Sequence, residues 1–176
     1  MIIDYNKLKE LDLVFTTSLY PSSCMIRKVS AGKWFDLNIA SHVGILVNIR
    51  GKYFIAEMIL KKGLQINSLK KYMKPSRFGD RIVCVRRTKF EYSKELAEAI
   101  ASSIISDYFE TLKYDWQGVL SYVFHNVMQV DSMFYCSEYV DYCLFKYLRD
   151  HYLLRKITPY ELQVSADFKD VDFRMF

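Results

Sequence analysis

The chain has 176 residues, 51% of them hydrophobic, which fits the size of a single domain with one core. A formal net charge of +5 makes the surface mildly basic, which favours an acidic substrate, nucleic acid or an anionic membrane without selecting one. Four cysteines without a Cys-x-x-Cys pair exclude a disulfide scaffold and favour a reducing compartment. We therefore expect one domain over residues 1–176.

The first residues are unlike a signal peptide. Acidic residues stand at positions 4, 10 and 12, and the segment lacks a basic start and an apolar core. No stretch reaches the ~18 to 20 consecutive apolar residues that a membrane-spanning helix needs. These features predict a soluble, cytoplasmic protein.

The first half of the chain carries mostly strand patterns. An apolar run over Leu11–Thr17 ends in a turn, and the segment from Cys24 to Trp34 fits either a helix or a loop. Further strands are predicted at Val43–Ile49, Lys52–Met58 and Arg81–Arg87. The first half should therefore form most of a sheet.

A hairpin is predicted where Arg50-Gly51 separates two of these strands. With a two-residue turn, counting back along both strands brings Gly44 opposite Glu57. Because side chains alternate along a strand, His42 shares a face with Gly44 and therefore with Glu57. As diagonal neighbours, the two backbone positions would be roughly 7 to 8 Å apart. A three-residue loop would move Glu57 to the other face.

The second half changes to helical spacing. Apolar residues recur every three or four positions from Leu96 to Tyr108, with Ser93 as the N-cap. Another helix is predicted from about Cys136, because Val140, Cys143, Leu144 and Tyr147 fall on one face. Strands followed by helices indicate an α+β fold.

Cys136 stands where an aromatic run gives way to this second helix. The free amides and positive dipole end of a helix N-terminus favour a thiolate, and a neighbouring imidazolium favours it further. Such a cysteine is suited to nucleophilic attack, and its amide could donate to a developing oxyanion. His42 is the candidate general base, and Glu57 the carboxylate that orients it.

In this order, the motifs resemble the permuted branch of NlpC-type papain-like cysteine hydrolases, a superfamily that also includes lecithin:retinol acyltransferase-like proteins. The family's Ser-His-x-Gly segment is similar to residues 41–44, its next acidic residue to Glu57, and its Cys-Ser-Glu helix start to residues 136–138. Weaker similarities extend over positions 11 to 172. Leu11 stands before Asp12 where the family usually has glycine, and Thr158-Pro159 resembles a C-terminal Thr/Ser-Pro turn.

The resemblance implies a circularly permuted papain-like fold, with an antiparallel sheet or small barrel packed against helices. It also implies acyl transfer, in which Cys136 attacks a carbonyl, His42 moves the proton and Glu57 holds the ring. Substrate-binding side chains implied by the comparison are Tyr114, Trp116 and Tyr135. It implies neither a metal nor another cofactor.

The expected function is a thiol hydrolase, peptidase-like or an amidase, that cleaves an amide or ester bond in a small peptide, a lipid amide or a related acyl substrate. Two alternatives stay open. A lipid acyltransferase shares the first half-reaction and differs in the acceptor. A catalytically inactive module would keep the fold to bind a ligand or partner.

The same residues also have structural interpretations. Cys136 could be a small buried apolar residue, as cysteines often are, and His42 a structural histidine at a strand end. Glu57 could be an ordinary carboxylate beside Lys61 or Lys62. Core packing is the expected role of Cys24, Cys84 and Cys143.

Metal and nucleic-acid sites are not expected. His125 and His151 show no zinc spacing with a cysteine. The basic residues between Lys70 and Arg87 fit solvated loops and strand edges, so we expect no nucleic-acid partner. The basic surface is compatible with peripheral membrane contact, and the sequence fixes no oligomeric state.

Overall fold

The computed structural model describes residues 2–72, 79–110, 112–115, 133–148 and 157–175. Its helices are α1 (Pro21–Ala31), α2 (Lys94–Phe109), α3 (Cys136–Leu148) and α4 (Pro159–Val164). Its strands are β1 (Ile2–Ile3), β2 (Leu13–Thr17), β3 (His42–Ile49), β4 (Lys52–Ile59), β5 (Gly63–Ser68), β6 (Arg81–Thr88), β7 (Lys113–Tyr114), β8 (Met133–Phe134), β9 (Phe168–Asp170) and β10 (Arg174–Met175). Short 3-10 helices lie at Tyr5–Lys7 and Leu69–Tyr72.

Six strands form an antiparallel sheet in the order β5-β4-β3-β2-β6-β9. Two smaller pairs, β1 with β10 and β7 with β8, lie outside it. The predicted α+β class is confirmed. None of the helices in the described part of the chain is both long enough and apolar enough to cross a membrane.

The sheet carries an apolar cluster on each face. One cluster contains Phe15 and Ile45 of the sheet together with α2 and α3. The other contains Leu46, which follows Ile45 in β3, and its cross-strand partner Ile55, together with Tyr72. This division follows from the alternation of side chains along each strand. Leu46 and Ile55 therefore lie on the side of the sheet opposite to α2 and α3.

The β3–β4 hairpin has the predicted two-residue turn. Arg50 and Gly51 have φ angles of 53° and 77°, as a type I′ turn requires, and Ile49 pairs with Lys52. The register that the sequence predicted from this turn is therefore confirmed.

The observed bounds of α1 and β2 decide one open prediction and correct another. The segment that fitted a helix or a loop is a helix from Pro21 to Ala31, ended by Gly32 in the left-handed region at φ 72°. The strand expected from Leu11 begins at Leu13, because Leu11 has a φ of 67°. A left-handed backbone is unfavourable for leucine and ends the extended conformation before β2.

Strand β5, which was not predicted from the sequence, pairs with β4 along its whole length. Lys61 and Gly63 have φ angles of 66° and 70° in the connecting turn. The pattern of β5 alternates over only four residues, with Leu64 and Ile66 on one face and polar Gln65 and Asn67 on the other, and such a short pattern is a weak signal. Tertiary pairing with β4, more than intrinsic strand preference, defines this strand.

Candidate active site

The side chains of His42 and Glu57 meet on the β3–β4 hairpin. His42 Nε2 lies 2.8 Å from Glu57 Oε2, within hydrogen-bond distance. His42 begins β3 and Glu57 stands near the end of β4, so the hairpin register places both on one face. The contact that the sequence predicts between these two residues is present.

Glu57 is buried, with 2% of its surface exposed, and its other oxygen is surrounded by donors. Oε1 accepts hydrogen bonds from the Tyr72 hydroxyl and from Asn67 Nδ2, the latter at 2.8 Å. Lys71 Nζ lies 3.8 Å from the same oxygen. The carboxylate is thus fixed by several side chains and not by His42 alone.

These contacts keep Glu57 ionised. Burial raises the pKa of Glu57, but the hydrogen bond and charge of His42, the Tyr72 hydroxyl and the charge of Lys71 together lower it below its ordinary value. Burial and the charge of Glu57 raise the pKa of Tyr72, so that its hydroxyl stays a donor. Glu57 therefore faces His42 as a carboxylate.

Cys136 opens α3 and is 3% exposed, while the His42 side chain is 23% exposed. Burial lowers the pKa of His42, but the charge of Cys136, a hydrogen bond with Cys136 and the contact with Glu57 raise it well above its ordinary value of 6.5. Because Nε2 is bonded to Glu57, the ring nitrogen left for Cys136 is Nδ1. The imidazole thus lies between a thiol and a carboxylate.

The residues around Cys136 fix the start of α3. Glu138 Oε2 accepts from the Tyr135 amide at 3.3 Å, which satisfies a free donor at the helix start. Ser137 Oγ donates to the Ile157 carbonyl at 2.5 Å and so ties the helix to the segment before α4. The two residues after Cys136 therefore hold its backbone in place, which gives the Cys-Ser-Glu sequence a structural reason.

Gly44 allows β4 to approach β3 closely at the site. A Cβ at Gly44 would lie 2.4 Å from Ile55 Cγ2, 2.9 Å from the Ala56 carbonyl oxygen and 3.1 Å from Glu57 Cβ. Two of these neighbours are strand backbone or the first side-chain atom, which cannot move independently. Glycine at this position is therefore required for the close approach of Glu57 to His42.

The segment before His42 is anchored to α4. Gln163 Oε1 accepts from the Ala40 amide at 2.7 Å, and Gln163 Nε2 donates to the Asn38 carbonyl at 2.8 Å. The side chain of Gln163 thus bonds to two backbone groups in the segment that leads into β3, one amide and one carbonyl. The chain after α3 helps to position a residue that lies more than a hundred positions earlier.

A groove of about 530 Å³ opens beside His42 and Glu57. Met25 and Ile26 of α1 line it, together with Ile59 and Leu60 at the end of β4. Its walls are largely apolar next to a polar site, as is typical of binding sites for small organic molecules. The sequence analysis did not assign α1 to the site.

Three aromatic residues were predicted to bind substrate. Tyr135 precedes α3 and is buried. The backbone of Tyr114 in β7 pairs with that of Phe134 in β8, and Phe134 lies two residues before Cys136. Trp116 lies outside the described residues. The substrate-binding role of all three stays a prediction.

The remaining cysteines differ from Cys136 in their surroundings. Cys143 lies two helical turns further along α3, in the same buried apolar cluster as Cys136 but away from the helix start. Cys24 is buried on α1, where Arg27 Nη2 lies 3.2 Å from its sulfur, and Cys84 is partly buried in β6. Of the four, Cys136 is the cysteine that stands at a helix start beside a histidine.

The sequence analysis also missed the residues that hold Glu57. The cation beside this carboxylate is Lys71, where the alternative interpretation had named Lys61 or Lys62. Asn67 could have been found once β5 was placed, because it pairs with Ile55 and is a diagonal neighbour of Glu57. No local signal in the sequence marks Tyr72.

Comparisons with known proteins identify a similar fold and carry no information about the chemistry of the site. No family model matches the chain. No curated protein matches it. The fold is similar to that of the crystal structure described as metalloprotein YiiX, DUF1105, from Escherichia coli O157:H7, with a TM-score of 0.66 and 16% sequence identity. The match covers 96% of this chain and 98% of that one. The two chains share a fold.

The word metalloprotein describes that neighbour. In the described ranges of this chain, no group of three or more His, Cys, Asp or Glu side chains is arranged to hold a metal ion. His125 and His151, which the sequence analysis considered as ligands, lie outside those ranges. No metal ligand is therefore carried over to this chain.

Proposed function

We propose that this protein is a thiol hydrolase that cleaves an amide or ester bond through an acyl-enzyme on Cys136. The observation that carries the proposal is the 2.8 Å contact of His42 Nε2 with buried Glu57, and Cys136 at the start of α3 is the group that, with Glu57, raises the pKa of His42. A thiol, an imidazole and an orienting carboxylate are the groups that this chemistry needs. The proposed fold within the α+β class is the permuted papain-like one, in which the histidine strand precedes the cysteine helix.

The reaction begins with Cys136 Sγ attacking the carbonyl carbon as its proton resides on His42. The carbon–sulfur bond forms, the tetrahedral intermediate collapses, and the leaving amine or alcohol takes the proton from His42. A water molecule then gives its proton to His42 and attacks the thioester. The acid leaves, the Cys136 sulfur is released, and Glu57 holds the ring in one orientation throughout.

The apolar walls of the groove favour a substrate with an apolar acyl portion, since Met25, Ile26 and Leu60 offer few polar partners. The same walls would suit an acyltransferase that moves a lipid acyl group. Both enzymes form the same thioester. The acceptor that releases the acyl group separates them.

Acyl trapping with p-nitrophenyl acetate and p-nitrophenyl octanoate tests the proposal. Intact-protein mass should show one acyl group, and peptide mass should place it on Cys136. Cys136→Ala should abolish the adduct, and His42→Ala should slow its formation by roughly 10²-fold or more, since general base catalysis contributes that much. Cys143→Ala is the matched control and should acylate normally.

Release of the trapped acyl group identifies the acceptor. Loss of the adduct in buffer alone indicates a hydrolase, whereas loss only with an added amine or lysophospholipid indicates a transferase. A Cys136 that forms no adduct with either ester, in a folded protein, would leave a binding module of the same fold and would contradict the proposal.

A further inference from the structure

We propose that the protein docks on an anionic lipid surface through the side of α1 that borders the groove. We call this side the α1 surface, and its exposed apolar residues are Tyr20, Val29, Trp34, Phe35 and Leu60. The proposal goes beyond the proposed reaction, because docking needs neither an active Cys136 nor a particular substrate.

Apolar side chains are concentrated on this surface. Five of the nine large hydrophobic residues that are exposed in the described part of the chain belong to it. Phe35 protrudes furthest, with 76% of its surface exposed, and Trp34 stands next to it. Tryptophan, phenylalanine and leucine beside lysines are typical of proteins that lie on a membrane interface.

Val29 lies on the helix face that lines the groove, and one buried arginine ties the following loop to α1. Val29 follows Met25 by four positions and Ile26 by three, so it extends the groove wall by one helical turn. Arg27 Nε donates to the Trp34 carbonyl at 3.1 Å and holds the next loop against α1. The loop that carries the protruding aromatic residues therefore follows directly on the helix that lines the groove.

Groove residues outside the middle of α1 contribute to the same surface. Leu60 lines the groove and is also exposed at its rim, in the turn between β4 and β5. Tyr20 does the same at the start of α1. The groove thus opens onto the α1 surface.

Lysines surround the apolar residues. Lys28 and Lys33 are exposed on α1 and its following loop, and Lys61 and Lys62 are exposed in the β4–β5 turn. Residues 20–35 and 59–63 contain no acidic residue. Asp36, the next residue along the chain, pairs with Lys33 at 3.4 Å and offsets its charge, so Lys28, Lys61 and Lys62 carry the positive charge of this surface. Basic residues near a membrane surface each add attraction to anionic lipid.

The charge of this surface selects its occupant. A symmetric dimer through the α1 surface would bring like-charged lysines of two copies together, which is unfavourable. An anionic lipid surface supplies both the negative charge that the lysines need and the apolar layer that Phe35 and Trp34 need. A lipid acyl chain would then reach the groove directly from the membrane.

Vesicle co-sedimentation of the full chain tests the docking. One set of vesicles contains phosphatidylcholine alone, and the other contains phosphatidylcholine mixed with phosphatidylglycerol. The wild type should sediment with the anionic vesicles and not with the neutral ones, and added salt should weaken the binding. Phe35→Asp should lower the affinity about tenfold or more, because it removes buried apolar area and adds a repelled charge.

Phe109→Asp is the matched control, because Phe109 is also 76% exposed but ends α2, outside the α1 surface. It should bind like the wild type. The double variant Lys61→Gln, Lys62→Gln should bind more weakly with reduced salt sensitivity, and equal melting temperatures would show that all variants fold. Three results would overturn the proposal: no binding to anionic vesicles, an equal loss in Phe109→Asp, or a dimer in solution that Phe35→Asp disrupts.

Discussion

Glu57 links the pH behaviour of the site to its geometry. Its carboxylate accepts from His42, Tyr72 and Asn67, with Lys71 nearby, and its pKa lies below the ordinary value of 4.5. Stability from this lowered pKa is present above pH 4.5 and is lost as the pH falls through the lowered value. The pKa of His42 is raised, so its contribution is complete below pH 6.5 and is lost as the pH rises through the raised value.

Removing the charge of Glu57 should weaken this pair. In Glu57→Gln, we expect the pKa of His42 to fall, because a neutral amide no longer stabilises the imidazolium. NMR titration of the His42 ring protons measures this change directly. Between about pH 4.5 and 6.5 the variant should also lose roughly 1–3 kcal/mol of unfolding free energy, the usual contribution of a hydrogen bond to a charged group.

Glu10→Gln provides the control for this substitution, since Glu10 is a partly buried carboxylate that accepts from the Asn48 amide away from His42. It should leave the titration of His42 unchanged. A His42 pKa that is the same in wild type and Glu57→Gln would show that the carboxylate does not control the imidazole.

Among the elements, the β3–β4 hairpin carries most of the geometry of the site. Its turn sets the register, and Gly44 sets the separation of the strands beside Glu57. The helix α3 then supplies Cys136, and α4 fixes the start of β3 through Gln163. The site depends on the packing of these elements and therefore on small changes at their contacts.

Gly44→Ala should separate the two strands and move Glu57 away from His42. A new Cβ at 2.4 Å from Ile55 Cγ2 cannot be accommodated without a shift, and we expect a loss of about 1–3 kcal/mol in unfolding free energy. The reactivity of Cys136 should fall with it. Chemical denaturation and alkylation of the purified variant measure the two effects.

Gly51→Ala is the control that distinguishes the effect of the close contacts at Gly44 from the effect of a general loss of stability. Gly51 has a φ of 77°, so alanine there is strained, but nothing lies within 4 Å of the added Cβ. This variant should lose stability while Cys136 keeps its normal reactivity. Equal effects of both substitutions on Cys136 would refute the role given to Gly44.

Over the whole molecule, local signals predicted what depends on short stretches of chain. The Arg50-Gly51 turn was sufficient for the hairpin register and for the contact of His42 with Glu57, and the apolar spacing was sufficient for the helix that begins at Cys136. The left-handed backbone of Leu11, at φ 67°, was not predicted from the local sequence.

Contacts between distant segments were not predictable in this way. Tyr72 reaches Glu57 from fifteen positions away, and Gln163 reaches Ala40 across the whole fold. Strand β9 completes the sheet after the helices, with only three residues, Phe168–Asp170. Such short or long-range features arise from packing, which leaves little pattern in the local sequence.

The alkylation rate of Cys136 as a function of pH tests the central claim, the coupling of this thiol to His42. Iodoacetamide labelling followed by peptide mass compares Cys136 with Cys24, Cys84 and Cys143 in one experiment. In the wild type Cys136 should react faster than the other three near neutral pH, and His42→Ala should remove this advantage. If Cys136 reacts no faster than the others, or is unaffected by His42→Ala, the thiol and imidazole do not act together and the proposed chemistry is wrong.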